Sequence, residues 1–274
     1  MQKRLTFAIS AYKDSPYLED CVLALKRQTV PAEILIATST PSEYIRTIAE
    51  RHGLPYYVNL QQKGIASDWK FAMSQAKTEL VCLAHQDDVY LPDYAEQVLL
   101  AVERTPDCRL VFTDSGDLMP NGKIDSHRAY LKIKRLLLWA FYLKGHHRSH
   151  LLKLSSVCFG NAICCPSVTY NVEQCGSVNF DDRFTVDLDW KMWYDQAKGK
   201  GAFVYIPKVL MAHRISPTME TASAIADNRR YREDSRLFEM IWGRTLARIL
   251  MRFYSLSYNS NRTFASAREK EDMT

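Results

Sequence analysis

An apolar run from Leu80 to Ala84 ends abruptly in His85, Gln86, Asp87 and Asp88. Read as a buried strand, it delivers two adjacent carboxylates at its C-terminal end. In parallel α/β sheets, ligands bind outside the carboxyl ends of the strands. Two neighbouring carboxylates repel each other unless a cation lies between them. The pattern therefore points to a divalent metal that also holds a phosphate. The alternative is a plain strand-to-helix turn in which Asp88 or a neighbour acts as a cap.

The elements around this stretch alternate. Leu5 to Ala11 reads as a strand, and Asp14-Ser15-Pro16 opens a helix with Leu18, Cys21, Val22 and Leu25 at helical spacing. Glu33 to Ala37 is a second strand. Ser42 to His52 is a helix stopped by Gly53, and Tyr56 to Asn59 is a short strand. Helices are expected over Asp68 to Ala76 and Pro92 to Thr105, with a further strand over Arg109 to Asp114. This order predicts an α/β fold: a mostly parallel central sheet flanked by helices, with right-handed crossovers. Neither GxGxxG nor GxxxxGK[ST] occurs, so a dinucleotide fingerprint and a P-loop are unsupported.

Beyond Asp117 the pattern changes. Met119 to Lys123 is a turn, Ala129 to Leu143 an amphipathic helix, and Gly160 to Ser167 irregular. Phe184 to Gln196 reads as a helix. Phe203 to Met211 is a strand interrupted by Pro207, which places it at an edge. Asp227 to Phe253 is a long helical stretch. The chain divides into residues 1–115, 116–225 and a helical extension over 226–274.

With 274 residues and 47% hydrophobic content, the chain can bury a sizeable core. Its seven cysteines form no CxxC pair, and Met1 to Ser10 runs straight into a strand-like segment. Both features suit a reduced, cytoplasmic protein without a signal peptide. The longest apolar run, Leu136 to Leu143, is far short of the ~20 residues that span a bilayer. The net charge of +5 is uneven. Between residues 123 and 153, eight Lys and Arg face a single acid, Asp125. Such a block suits anionic lipid, phosphate or nucleic acid. His146, His147, His150 and Cys158 lack the paired spacing of a zinc site.

Several segments, taken in order, resemble the family-2 glycosyltransferases of the GT-A fold. They are Phe7 to Lys13, Gln62 to Met73, His85-Gln86-Asp87-Asp88, Gly160 to Ser167, Val186 to Trp190 and His213-Arg214-Ile215. The resemblance covers roughly residues 4 to 218. It implies sugar transfer from a nucleotide-diphosphate donor to a saccharide or lipid-linked acceptor in surface polysaccharide synthesis, with inversion and with Mg²⁺ or Mn²⁺. A cation of this kind takes oxygen ligands, and the phosphates supply most of them. Asp88 is the first choice as metal ligand. Asp87 is placed on the ribose or beside the metal, and His213 is a further metal candidate. The donor side is expected to involve Ser10, Tyr12, Thr38, Gly64, Asp68, Lys70, Gln86 and Asp87. Asn161 and Trp190 are expected on the acceptor side, although core packing suits Trp190 as well. Attack by an acceptor hydroxyl needs a general base, and Asp187 or Asp189 can serve. Their i,i+2 spacing puts them on different helix faces. The bland alternative is a helix start where the dipole favours acids.

The departures also carry information. The second strand ends in Thr38-Ser39-Thr40, where relatives usually have an Asp pair near the base. Val186 stands where the base motif usually has Glu, and Ser216 replaces the second His of the late element. These changes leave open a catalytically inactive, glycosyltransferase-like binding protein. A basic RNA- or membrane-binding module is a third class; the carboxylate-ended strand has no role on a nucleic acid, so none is expected as a partner. The basic, apolar stretches 128–153 and 244–253 predict reversible docking at the inner face of an anionic membrane. The competing expectation is that these faces pack on each other or form a homodimer.

Overall fold

The computed structural model describes residues 4–61, 64–176, 178–215 and 228–258. Strands β1 (Leu5–Ala11), β2 (Glu33–Thr38), β3 (Tyr56–Val58) and β4 (Leu80–His85) are joined by helices α1 (Leu18–Lys26), α2 (Glu43–His52) and α3 (Ile65–Ser74). All pairings among these four strands are parallel. Ser42 Oγ caps α2 by accepting from Ile45 N, and Gly53 ends that helix at φ 63°, a backbone angle that glycine adopts without strain.

The next elements are β5 (Val89–Tyr90), α4 (Tyr94–Arg104), β6 (Cys108–Leu118) and β7 (Ile124–Asp125). Then follow α5 (Ala129–Leu137), α6 (Trp139–Leu143), β8 (His146–His147), α7 (His150–Leu154), β9 (Val168–Asn171) and α8 (Val172–Cys175). The last are α9 (Leu188–Lys198), β10 (Ala202–Arg214) and α10 (Arg229–Tyr254). The sheet order is β3-β2-β1-β4-β9-β6-β10-β5. β9 was not foreseen; it runs antiparallel between β4 and β6. Through β9 and β10, one sheet extends across residues from both expected halves of the chain.

Alternation along the strands sends side chains to two separate cores. Leu5, Phe7 and Ile9 meet α1, α2 and α4 on one face. Ala8, Leu83, Phe112 and Phe203 meet α3, α6, α9 and α10 on the other.

Three elements differ from the sequence expectation. The helix expected over 129–143 breaks at Leu138. In an unbroken helix Ala140 would lie about 180° from Leu131; the break lets both residues be buried. Pro207 does not end its strand. It falls in a register shift of β10 against β6, and on the other side β8 and β5 pair only at Phe203–Val204 and Met211–Ala212. Its missing N–H therefore costs no ladder bond on the outer side. α10 is interrupted at Gly243, whose φ of 72° and ψ of 165° are not helical. Among the described residues no helix is long and apolar enough to cross a membrane.

Candidate functional site at the carboxyl ends of the strands

β4 ends where the sequence places the carboxylates. Asp88 is fully buried. Its Oδ1 accepts from Arg214 N at 2.9 Å, and its Oδ2 has no hydrogen-bond partner. His85 Nδ1 is 3.8 Å from that oxygen. Burial, aided by the charge on Asp87, pushes the Asp88 carboxyl up to about 7; His85 and Arg214 offset only part of this. A buried acid with an unused oxygen and no full ion pair suits a cation ligand. The capping alternative is not what the geometry provides, because the carboxylate accepts from β10 and not from a helix start. Among the described residues no group of three or more His, Cys, Asp or Glu could hold a metal alone. The donor set therefore fits a cation whose other ligands come from phosphate and water.

Arg214 clamps this turn. Its Nε donates to Asp87 O at 2.8 Å, and its guanidinium lies over the Tyr17 ring, 4.0 Å from the centroid. His213, next to it on β10, pairs in register with Asp117 of β6. Burial pushes the His213 imidazole down, Asp87 and Asp117 oppose this, and Lys134 reinforces it. A neutral imidazole is the form that ligates metals. Asp117 is itself buried between Arg128, at 2.9 Å, and the Tyr130 hydroxyl. Stacking on Trp69, at 5.5 Å between centroids, orients His85.

The expected donor-side residues fall at the ends of β1, β2 and β4. Ser10 is in register with His85. The Gln86 side chain accepts from Tyr12 N and donates to Tyr12 O, at 3.1 and 2.8 Å, so it holds the loop after β1 and leaves the Tyr12 ring exposed. Thr38 is buried and accepts from Thr40 N. Asp68 accepts from Ser39 Oγ at 2.7 Å and Asn59 Nδ2 at 3.0 Å, which ties α3 to the ends of β2 and β3. Gly64 opens α3 at φ 128°, with open space where a Cβ would project. Lys70 lies elsewhere, lining a shallow pocket with Met73, Val172 and Val178.

The second carboxylate pair begins α9. Asp189 is buried; its oxygens lie 3.3 Å from Asn161 Nδ2, and one accepts from Trp190 N. It thus holds the 160–167 loop, leaving Asn161 Oδ1 without a partner. Asp187 sits at the N-cap position but makes no capping bond. It is fully buried, and neither oxygen has a hydrogen-bond partner. Arg230 Nη2 of α10 is 3.4 Å away, and Arg230 also contacts Asp234. Burial pushes the Asp187 carboxyl well up, Arg230 pulls it down, and Asp234 and Asp189 push it further up. A solvated helix start is therefore not the explanation for this acid. Glu233 instead holds the turn that leads into α9: its carboxylate accepts from the backbone N–H groups of Thr185, Val186 and Asp187 at 2.8–3.0 Å. Trp190 is buried, donates to Val157 O at 2.7 Å and packs on Phe238. It takes the packing role, which corrects its expected place on the acceptor.

Sequence reasoning missed Arg214, Lys134, Glu233, Arg230 and Asp234 as parts of this region. Only Arg214 carried a signal, as part of the His213-Arg214-Ile215 segment. His146 and His147 form β8, and the His147 ring contacts Ala140 O. The seven cysteines are unpaired.

The same architecture occurs in solved structures. Residues 1–349 of S. aureus TarS superpose with a TM-score of 0.63 and 12% identity, over 86% of this chain and 64% of that one. The same fragment in complex with UDP-GlcNAc gives 0.60 and 14%, over 86% and 66%. The mannosyltransferase PcManGT from Pyrobaculum calidifontis, in complex with GDP-Man and Mn²⁺, gives 0.58 and 17%, over 84% and 61%. The chain thus spans less than two thirds of the length of these structures, 61–66%, and at such identities the likeness speaks for the fold alone. No curated protein matches the chain in sequence. The family profile described as Glycosyl transferase family 2 matches residues 6–168, more than half of the chain, and so the chain belongs to glycosyl transferase family 2 and has the GT-A fold.

Proposed function

We propose that the chain transfers a sugar, with inversion, from a nucleotide-diphosphate donor to a saccharide or lipid-linked acceptor. The observation that carries this reading is buried Asp88, with its unused oxygen, at the carboxyl end of β4. Mg²⁺ or Mn²⁺ held at Asp88 and the donor phosphates, with His213 and Asp87 beside it, would neutralise the leaving diphosphate. Gln86 and Thr40 fix the loop after β1 against which the nucleotide would lie. Asp187 takes the proton of the acceptor hydroxyl as its oxygen attacks the sugar carbon opposite the departing diphosphate. Asp187 fits that role better than Asp189, because its oxygens are free of hydrogen bonds while those of Asp189 are engaged. Asp189 and Asn161 position the acceptor-side loop.

Residues 1–115 hold the donor and 116–225 the acceptor and the base, while 226–274 supports the base through α10. Action in surface polysaccharide synthesis, from the cytoplasmic side of a membrane, follows from the family resemblance and the basic surface. Because Asp187 is enclosed by α10, an inactive donor-binding protein is the second reading.

Thermal-shift screening of UDP-, GDP- and dTDP-sugars with and without Mn²⁺ tests the proposal, since a ligand of the folded state raises stability by mass action. Stabilisation by a nucleotide sugar only with the metal is expected. Indifference to every nucleotide would defeat both readings. Binding without transfer or donor hydrolysis would select the second.

A further inference from the structure

Beyond Gly243, α10 is apolar on two opposite sides. Ala247 and Met251 are buried in the core that also contains Trp190 and Phe238. On the outer side Leu246, Ile249, Phe253 and Leu256 are 49–70% exposed. A surface helix is ordinarily polar on that side. At about 100° per residue, Arg244, Arg248 and Arg252 form a stripe on the flank between the buried side and this outer face, and all three are exposed. No acid occurs between residues 244 and 258.

A second surface of the same kind lies on α5 and α6. Ile133, Leu136, Trp139 and Leu143 are 54–79% exposed, beside exposed Lys132 and Lys144. Residues 128–153 contain no acid. Leu138, Ala140 and Phe141 anchor this region in the core that Ala247 and Met251 also join, so both surfaces cover the same face of the sheet. Half-exposed Phe159 packs on Trp242 at 5.2 Å, and Gly160 lies against Tyr254. The chain after α7 therefore runs along α10.

What covers such a face must be apolar and anionic together. A second copy docked through these patches would set Arg244, Arg248 and Arg252 against each other or against Lys132 and Lys144, with no acid on either patch to compensate. RNA would leave the aliphatic Leu246, Ile249, Leu136 and Leu143 unused. A bilayer with anionic headgroups satisfies both demands, because apolar side chains enter the headgroup–acyl boundary while Arg and Lys pair with phosphates. We propose that the outer half of α10 and the α5–α6 surface together dock this chain on an anionic lipid bilayer. The inference is independent of the transfer reading.

Flotation of the full chain with phosphatidylcholine vesicles, with and without phosphatidylglycerol, tests it. The chain should float only with phosphatidylglycerol, and less so as salt rises. Each basic residue near the surface is worth about fivefold in partitioning. Arg244→Glu, Arg248→Glu and Arg252→Glu combined should therefore weaken binding at least about 100-fold. Ile249→Ser with Phe253→Ser should abolish flotation, and Arg46→Glu with Arg51→Glu on α2 should not alter it. Brominated acyl chains should quench tryptophan fluorescence in the parent chain and lose that effect in Trp139→Phe, a readout that needs no charge variant. Flotation indifferent to phosphatidylglycerol would overturn the proposal. So would an unaltered Arg triple variant, or a dimer in light scattering that Ile249→Ser with Phe253→Ser dissociates.

Discussion

Asp88 and Asp187 are both fully buried, and burial raises the proton affinity of both, yet their surroundings differ in kind. Asp88 is held by one backbone N–H, with His85 at 3.8 Å. Asp187 faces a full counter-charge, Arg230, and a second acid, Asp234, both supplied by α10. The first environment leaves negative charge to be met by a ligand. The second largely meets it within the protein and tunes what remains. That division is what separate donor and proton-transfer roles require. On the proposed roles, α10 then belongs to the reacting centre and is more than an extension.

The comparison can be broken most severely at Asp187. Asp187→Asn should lower kcat by ~10²–10⁴-fold with donor affinity kept, because the base acts on the acceptor alone. Near-parental turnover in a transfer assay would move the role to Asp189. At Asp88 the outcome should differ in kind: Asp88→Asn loses metal-dependent donor binding, with transfer reduced by ~10²–10³-fold. The fold should survive, since Asn can still accept from Arg214 N. Calorimetric titration with donor and Mn²⁺ checks this, and parental affinity would rule out Asp88 as the ligand.

Asp234 sharpens the contrast through pH. It is one of the groups that push the Asp187 carboxyl up, together with burial and Asp189 and against Arg230. Because the base must be deprotonated, Asp234→Asn should move the acid limb of kcat/KM to lower pH. The stability sign follows the same shift. A carboxyl raised in the folded state contributes stability that is present below its unfolded value and lost as pH rises through its folded value. The variant should therefore lose less stability than the parent as pH rises above the ordinary carboxylate range. An acid limb that stays in place would detach Asp234 from Asp187. Smallest of all, Glu233→Ala should cost about 1–2 kcal/mol by removing the acceptor of three backbone N–H groups in the turn before α9. Thermal melting reads this directly, and an unchanged Tm would mean that water satisfies those groups equally well.

Much of the strand-end site was legible along the chain. Leu80 to Ala84 is a continuous apolar run, and buried parallel strands require such runs because both faces are covered. Asp87 and Asp88 follow immediately, so their position at a strand end needed no tertiary knowledge. The same holds for Ser42 and Gly53 at the ends of α2, whose signals are local. The motif at 186–190 likewise announced a carboxylate pair, though not which acid keeps its oxygens free.

What the tertiary structure decided involves partners far apart in sequence. Arg214 N reaches Asp88 across 126 positions, and Glu233 reaches the start of α9 across 46. These meetings depend on β10 lying beside β6, on the placement of β5 against β10, and on α10 lying along α9. No residue spacing encodes those placements. The antiparallel insertion of the four-residue β9 was equally hidden, because so short a strand has too few residues to show a period. Apolar periodicity identifies a helix face but not whether that face is covered. Ala140 and Leu143 look alike in the sequence, yet one is buried and the other is 79% exposed. Local spacing therefore determined the elements and the first carboxylates, while the packing of distant segments decided which charges are compensated and which apolar surfaces remain open.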